Sequence, residues 1–210
     1  NTPAYFLAEG VQVHNYYAAY DEETNTLSDL VTIEGAGETL EIFYTAAGEV
    51  TEQANAAYSL MFTVTDYANN RVSVKIGSKM PVPNSNINLV TPSEVQFEDL
   101  TFNVTSVANS AFNGTHFKKV TISEGVETIG NKALYFMPKL TELVLPKTLV
   151  SVGEECIGAY NPNAVPLKSI VCYAEEAPSA FEPISNASFQ TCVEQQTILI
   201  VPNAADYTVY

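Results

Sequence analysis

The sequence predicts a β-rich chain: a short right-handed solenoid of 23-residue coils, with parallel strands and short helical or 3-10 turns. A β-hairpin cap is expected at its N-terminal end, preceded by a further small β-rich segment. Three observations carry this reading. VTISEGVETIG (120–130) and LVLPKTLVSVG (143–153) put aliphatics, a central turn and a final Gly in the same slots, 23 residues apart, with almost no identical residues. The register extends outward: Phe117, Val120, Ile122, Val126, Ile129, Gly130, Ala133 and Leu134 answer to Leu140, Leu143, Leu145, Leu149, Val152, Gly153, Cys156 and Ile157. Two alternating, β-rich stretches, SLMFTVTD (59–66) and RVSVKI (71–76), stand before the repeats.

Along the chain, residues 1–57 form an acidic segment of unassigned fold. Within it LVTIE (30–34) and TLEIFY (39–44) predict two strands around the Gly turn GAGE. TAAGEVTEQANAA (45–57) is a connector with a helical turn. Residues 58–99 are the hairpin cap and its connector, with YANN (67–70) at the turn because Asn tolerates turn geometry. Residues 80–93, with Pro81, Pro83 and Pro92, read as loop, and VQFEDLTFNVTSV (95–107) leads into the first coil. Residues 100–210 are the solenoid, closed by a last strand in TILIVP (197–202), which echoes TELVLP (141–146).

The physics of one coil explains the repeat. Leu143 and Leu145 alternate as in a strand with one buried face, and Pro146 stops that strand because it has no N–H to give a ladder. Leu149 and Val152, three apart, predict a segment of threefold or helical period. No coil can bury its apolar side alone, and stacking coils about 4.7–4.9 Å apart does so. Equivalent residues then form ladders: Phe117–Leu140–Leu167, Val120–Leu143–Ile170 and Val126–Leu149. A ladder requires a residue type in each slot, not an identity. A weaker copy lies 22 residues upstream (Val104, Val107, Ala111, Phe112) and a partial one 27 downstream (Leu167, Ile170, Cys172). Cys172 falls in the slot of Ile122 and Leu145, and Cys156 in that of Ala111 and Ala133, so both are expected as buried, inert thiols. Three cysteines with no CxxC argue against a closed disulfide framework, thiol redox chemistry and zinc.

Composition bounds the function. The net charge is −15, and residues 1–70 hold eleven acids and no Lys or Arg, the first base being Arg71. Such a segment repels nucleic-acid phosphates and anionic lipid. No apolar run reaches the length of a membrane helix. The start at Asn1 suits a processed protein or a segment beginning partway along.

Candidate chemistry is sparse. GAGETL (35–40) lacks the third Gly of a dinucleotide fingerprint and precedes a strand-like run, so a turn is expected. His14 and His116 have no spaced partner, and no HExxH, GxSxG or P-loop pattern occurs. Glu154–Glu155 and Glu175–Glu176 sit in turn-like stretches. DEETN (21–25) lacks EF-hand spacing. Sequons at Asn103, Asn113 and Asn186 would matter only in a eukaryotic secretory pathway. Neither a cofactor nor a metal is expected. The strongest binding signal is the aromatic cluster Tyr5, Phe6, Tyr16, Tyr17 and Tyr20, because Tyr offers apolar area and a hydroxyl at low entropic cost. The competing expectation is that these rings pack on the N-terminal sheet.

LTELVLPKTLVSVGEECI, FKKVTISEGVETIGNKAL and VTSVANSAF resemble the repeat of the BspA-like, or Treponema-type, leucine-rich-repeat family, roughly L-x-x-I-x-I-P-x-x-V-x-x-I-G-x-x-A-F. LKSIVCYAEEAPSAF and TILIVPNAADYTVY look like its terminal coil and closing strand, so the resemblance covers about residues 58–210. It implies a secreted or surface-anchored protein of Bacteroidetes, spirochaetes or some protists, and binding or adhesion rather than catalysis. It supplies no shared site residues. The family usually continues into a Trp-containing tail; the chain has no Trp, so truncation after Tyr210 is the expectation. The leading expectation is a non-catalytic, surface-exposed binding or adhesion protein, whose partner is a protein or glycan at the cell surface. The second is an accessory lipoprotein subunit of an outer-membrane complex, with its lipid anchor lost. An enzyme is the third. No nucleic-acid partner is expected.

Overall fold

The computed structural model describes residues 37–97, 100–158, 166–179 and 196–202, and the backbone of four short N-terminal strands. These are β1 (Leu7–Ala8), β2 (Val11–His14), β3 (Tyr20–Asp21) and β4 (Thr26–Leu27). The predicted strand at 30–34 lies outside the described residues.

β5 (Thr39–Tyr44) pairs antiparallel with β2 on one side and with β6 (Tyr58–Asp66) on the other. The predicted helical turn between them is a single 3-10 turn, Gln53–Asn55. β6 and β7 (Arg71–Ile76) form the predicted hairpin. Its turn is set by the Asp66 carboxylate, which accepts from the backbone N–H of Asn69 at 3.2 Å and from its side-chain amide at 2.7 Å, while Asn70 takes φ 52°. Those two bonds hold the Asp66 carboxyl below its ordinary range. The hairpin is the first rung of the solenoid, because β7 pairs parallel with the strand that opens the repeats.

The stretch 80–93 is not all loop: β8 (Asn88–Val90) lies in it. Three residues are too few to show alternation, and the flanking Pro and Asn residues read as turn. Its pairing is tertiary, supplied by a strand about thirty residues later. β9 (Glu94–Phe97) and β10 (Leu100–Val107) pair antiparallel. The coils then supply β11 (Lys119–Thr121), β12 (Thr128–Ile129), β13 (Leu134–Tyr135), β14 (Glu142–Leu145), β15 (Ser151–Val152), β16 (Ile157–Gly158), β17 (Ser169–Cys172) and β18 (Ile198–Ile200).

The solenoid thus has three strand-bearing sides. One is the parallel run β7–β10–β12–β15, continuous with the antiparallel N-terminal strands. The second is the five-stranded parallel sheet β8–β11–β14–β17–β18, and the third is the pair β13–β16. The expected threefold segments are single turns closed by i+3→i bonds, such as Val126 N–H to Ser123 C=O and Leu149 N–H to Pro146 C=O, both at 3.4 Å. No helix forms in the described coils.

The predicted ladders are present. Phe117, Leu140 and Leu167 are buried, as are Val126 and Leu149. Val120, Leu143 and Ile170 stand in register, and the row extends to Leu89 at one end and the half-buried Leu199 at the other. Cys172 pairs with Leu145 in register, and Cys156 lies beside Ala133; both are buried outside any disulfide. One apolar cluster runs from Leu40 to Ala174, crossing from the N-terminal sheet into the coils.

Candidate binding face

The ladder that buries every second strand residue turns the alternate ones outward. In β14, Leu143 and Leu145 are buried while Glu142 and Val144 are half-buried, and β17 repeats this with Ile170 and Cys172 against Ser169 and Val171. Register across the five-stranded sheet aligns the outward residues into two rows. One is Val90–Thr121–Val144–Val171–Ile200, four of its five members apolar and all β-branched. The other is Asn88–Lys119–Glu142–Ser169–Ile198. Exposure rises toward the ends of the sheet, to 60% at Val90 and 64% at Ile198, because strands that lack a second neighbour cover less of each other. Lys119 and Glu142 form an ion pair across adjacent strands, so the middle of the polar row is neutral.

Backbone partners hold the face in place. Lys118, Thr141 and Lys168, each just before a strand, donate N–H to the carbonyls of Ile87, Lys118 and Thr141 on the preceding coil, all at 2.9 Å. The Thr141 hydroxyl donates to Lys118 C=O at 3.1 Å, and the Thr197 hydroxyl to Leu167 C=O at 2.9 Å. Thr141 and Thr197 hold equivalent positions in TELVLP and TILIVP, and each hydroxyl bonds the preceding coil.

A cleft of about 460 Å³ adjoins the strand-exit edge, between Lys147–Val150 of one coil and Ala174–Pro178 of the next. The loop on one side of it is one residue longer than that on the other. Leu145 and Ser151 are six positions apart, whereas Cys172 and Ser179, the bridge partner of Ser151, are seven apart. Val150, on the wall of the cleft, is exposed.

Of the aromatic residues singled out in the sequence, Tyr5, Phe6, Tyr16 and Tyr17 lie outside the described residues. Tyr20 is described only as backbone, in β3. DEETN and Asn186 fall in the same category, apart from the backbone of Asp21. The last two residues of GAGETL, Thr39 and Leu40, open β5, a strand, which is not the element that cradles a pyrophosphate. His116 is half-buried ahead of β11. Among the described residues no three His, Cys, Asp or Glu side chains come together as a metal site, and no helix is long and apolar enough to cross a membrane. The outward rows were not singled out from the sequence. Their signal was available as the positions flanking each ladder slot, but their joining with β8 and β18 depends on tertiary pairing.

The match to a family model agrees with this architecture. The model of a family described as BspA type Leucine rich repeat region matches residues 92–203, in six copies. No curated protein matches the chain. Among solved structures, a leucine-rich repeat protein from Bacteroides capillosus is 20% identical, with 71% of this chain and 91% of that chain covered and a TM-score of 0.45. A leucine rich cell surface protein from Faecalibacterium prausnitzii is 10% identical, with 71% and 42% covered and a TM-score of 0.39. The pneumococcal vaccine antigen PcpA is 17% identical, with 57% and 40% covered and a TM-score of 0.34.

Proposed function

We propose, from the premise that this chain belongs to the BspA-type leucine-rich-repeat family, that it is a non-catalytic, surface-exposed binding protein. Its coils act as a rigid scaffold, and the outer face of the five-stranded sheet meets a protein or glycan partner at the cell surface. The observation that carries this reading is the outward row Val90–Thr121–Val144–Val171–Ile200, aligned by register across five parallel strands. A contiguous β-branched face of this kind has no role in the core and supplies apolar area for contact. The test is capture of cell-envelope and host-matrix components by wild type and by the double variant Val144→Asp/Val171→Asp. Loss of capture with an unchanged melting temperature supports the face. Undiminished capture removes it, and a turnover abolished by one polar substitution would replace the whole reading with an enzyme.

A second reading, an accessory subunit docked on an outer-membrane partner, draws on the N-terminal charge: eleven acids and no Lys or Arg in residues 1–70. Its test is removal of residues 1–36. Removal as far as residue 56 would also strip β5, whose Leu40 and Ile42 belong to the core. Unchanged co-purification of the 37–210 chain with envelope partners would end this reading.

A further inference from the structure

The strand-entry edge of the same sheet carries a charge that the whole molecule does not. Of nine Lys and Arg residues in a chain of net charge −15, four (Lys118, Lys119, Lys139 and Lys168) lie within three residues of the start of β11, β14 or β17. Lys119 is paired with Glu142. Lys118, Lys139 and Lys168 have no carboxylate partner among the described residues. Lys118 and Lys168 are exposed and Lys139 is half-exposed. The opposite, strand-exit edge has Glu124, Glu175 and Glu176 around Lys147, so the sheet is polarised along its strands.

Register sets two of these lysines in one row and brings the third close to it. Lys118, Thr141, Lys168 and Thr197 occupy one row on successive coils, and Lys139 stands two positions upstream of Thr141 on the coil between the two lysines. Lys118 and Lys168 therefore stand two coil steps, about 9.4–9.8 Å, apart along the solenoid axis, with Lys139 offset from their row on the coil between them. An extended acidic peptide presents same-side carboxylates about every 6.6 Å, twice its rise per residue, and falls out of step. A twofold sugar chain bearing one carboxylate per ring presents same-side carboxylates on every second ring, nearer the two-coil spacing, and it lies along the axis without needing a free strand edge. Lysine ammoniums act as point charges and require no planar bidentate fork.

We infer that the edge bearing Lys118, Lys139 and Lys168 binds a linear acidic polysaccharide, a uronate polymer in chemical class. This deepens the binding role proposed above and rests on it. The acids elsewhere on the chain oppose such a ligand at long range. At about 0.15 M salt the screening length is about 8 Å, short enough to leave the local lysines in control. At about 0.01 M it is about 30 Å, and the whole charge is felt. Binding accordingly passes through a maximum with salt instead of falling steadily.

The test uses the full chain and immobilised polygalacturonate, with dextran as neutral control and poly-glutamate as the acidic-peptide alternative. Wild type should bind polygalacturonate best at intermediate salt and leave dextran unbound. Lys118→Gln/Lys139→Gln/Lys168→Gln should bind roughly tenfold more weakly or worse. Lys75→Gln, on β7, should bind as wild type does. Melting temperatures confirm that the variants are folded, and single-lysine variants serve if the triple variant is not. Absence of polygalacturonate binding overturns the inference while leaving the Val144/Val171 face to be judged by its own test. Equal or tighter binding of poly-glutamate overturns the assignment to a saccharide, and equal weakening by Lys75→Gln overturns the location.

Discussion

At the scale of single residues, the Gly that ends each repeat has a steric cause. A Cβ on Gly130 would stand 2.5 Å from Asn109 Oδ1 and 2.6 Å from Asn109 N, and one on Gly153 would strike Asn131 N and Oδ1. The coils approach closely here, and the Asn side chains bond from coil to coil. Asn109 Oδ1 accepts from Asn131 N–H and Asn131 Oδ1 from Glu154 N–H, each at 2.9 Å. The next residue of each coil, Ser110, Lys132 and Glu155, takes φ between 47° and 54° to turn the chain. Gly153→Ala should therefore cost about 1–3 kcal/mol, since the obstacle includes backbone that cannot rotate away. A urea titration reads this, and an unmoved midpoint would show that the coils separate easily. The sequence displayed the slot of Gly130 and Gly153 but not its reason. The Asn109/Asn131 spacing of 22 was visible and became meaningful only with the hydrogen bonds.

At the scale of elements, inward and outward residues of one strand should behave differently. Leu143, stacked between Val120 and Ile170, is fully buried, and Leu143→Ala should cost about 2–5 kcal/mol. Its neighbour Val144 faces outward, and Val144→Ala should stay within about 0.5 kcal/mol. Thermal melts of the two variants check the alternation, and equal losses would contradict it. The hairpin joins the first coil through aromatic packing: Tyr44 stacks on Tyr58 at 5.4 Å, and Tyr58 meets Phe117 edge-on at 5.2 Å. Burial raises the pKa of both tyrosines, with the Tyr58 charge adding to the rise at Tyr44. Below the ordinary tyrosine pKa of 10.0 both states are protonated and nothing is lost. Above it the unfolded chain ionises first, so stability should fall as pH rises past about 10. Tyr44→Phe should reduce that alkaline loss in pH-dependent denaturant melts, and an identical alkaline limb would contradict it.

At the scale of the whole molecule, the apolar cluster shared by the N-terminal sheet and the coils couples parts that a repeat protein can unfold separately. We expect one transition, with circular dichroism and tyrosine fluorescence coincident. Cys156 and Cys172, 1% and 0% exposed, report on the same event. In a Cys192→Ser background, a thiol reagent should modify them only as fast as the coils open, and denaturant should accelerate both together. Rapid labelling of the native protein would show that the coils open independently. The ion pairs add little to this cohesion. Arg71–Glu127 and Lys132–Glu155 are more than a third exposed, and exposed pairs contribute about 0–1 kcal/mol each.

The sequence alone determined the coil. Its 23-residue register, buried ladders, strand-ending Pro146, cysteine slots and hairpin are all local or periodic, and periodicity is the trace that burial leaves in a chain. Tertiary structure decided what no period encodes. β8 becomes a strand only because β11 lies beside it, their first positions being 31 apart in the chain. The hairpin becomes a rung because β7 pairs with β10. The outward apolar row and the basic edge exist only once five strands from distant segments share one register. Burial repeats and so is written in the sequence, whereas a surface is assembled from whichever residues burial leaves outside, and its composition follows from the stacking itself.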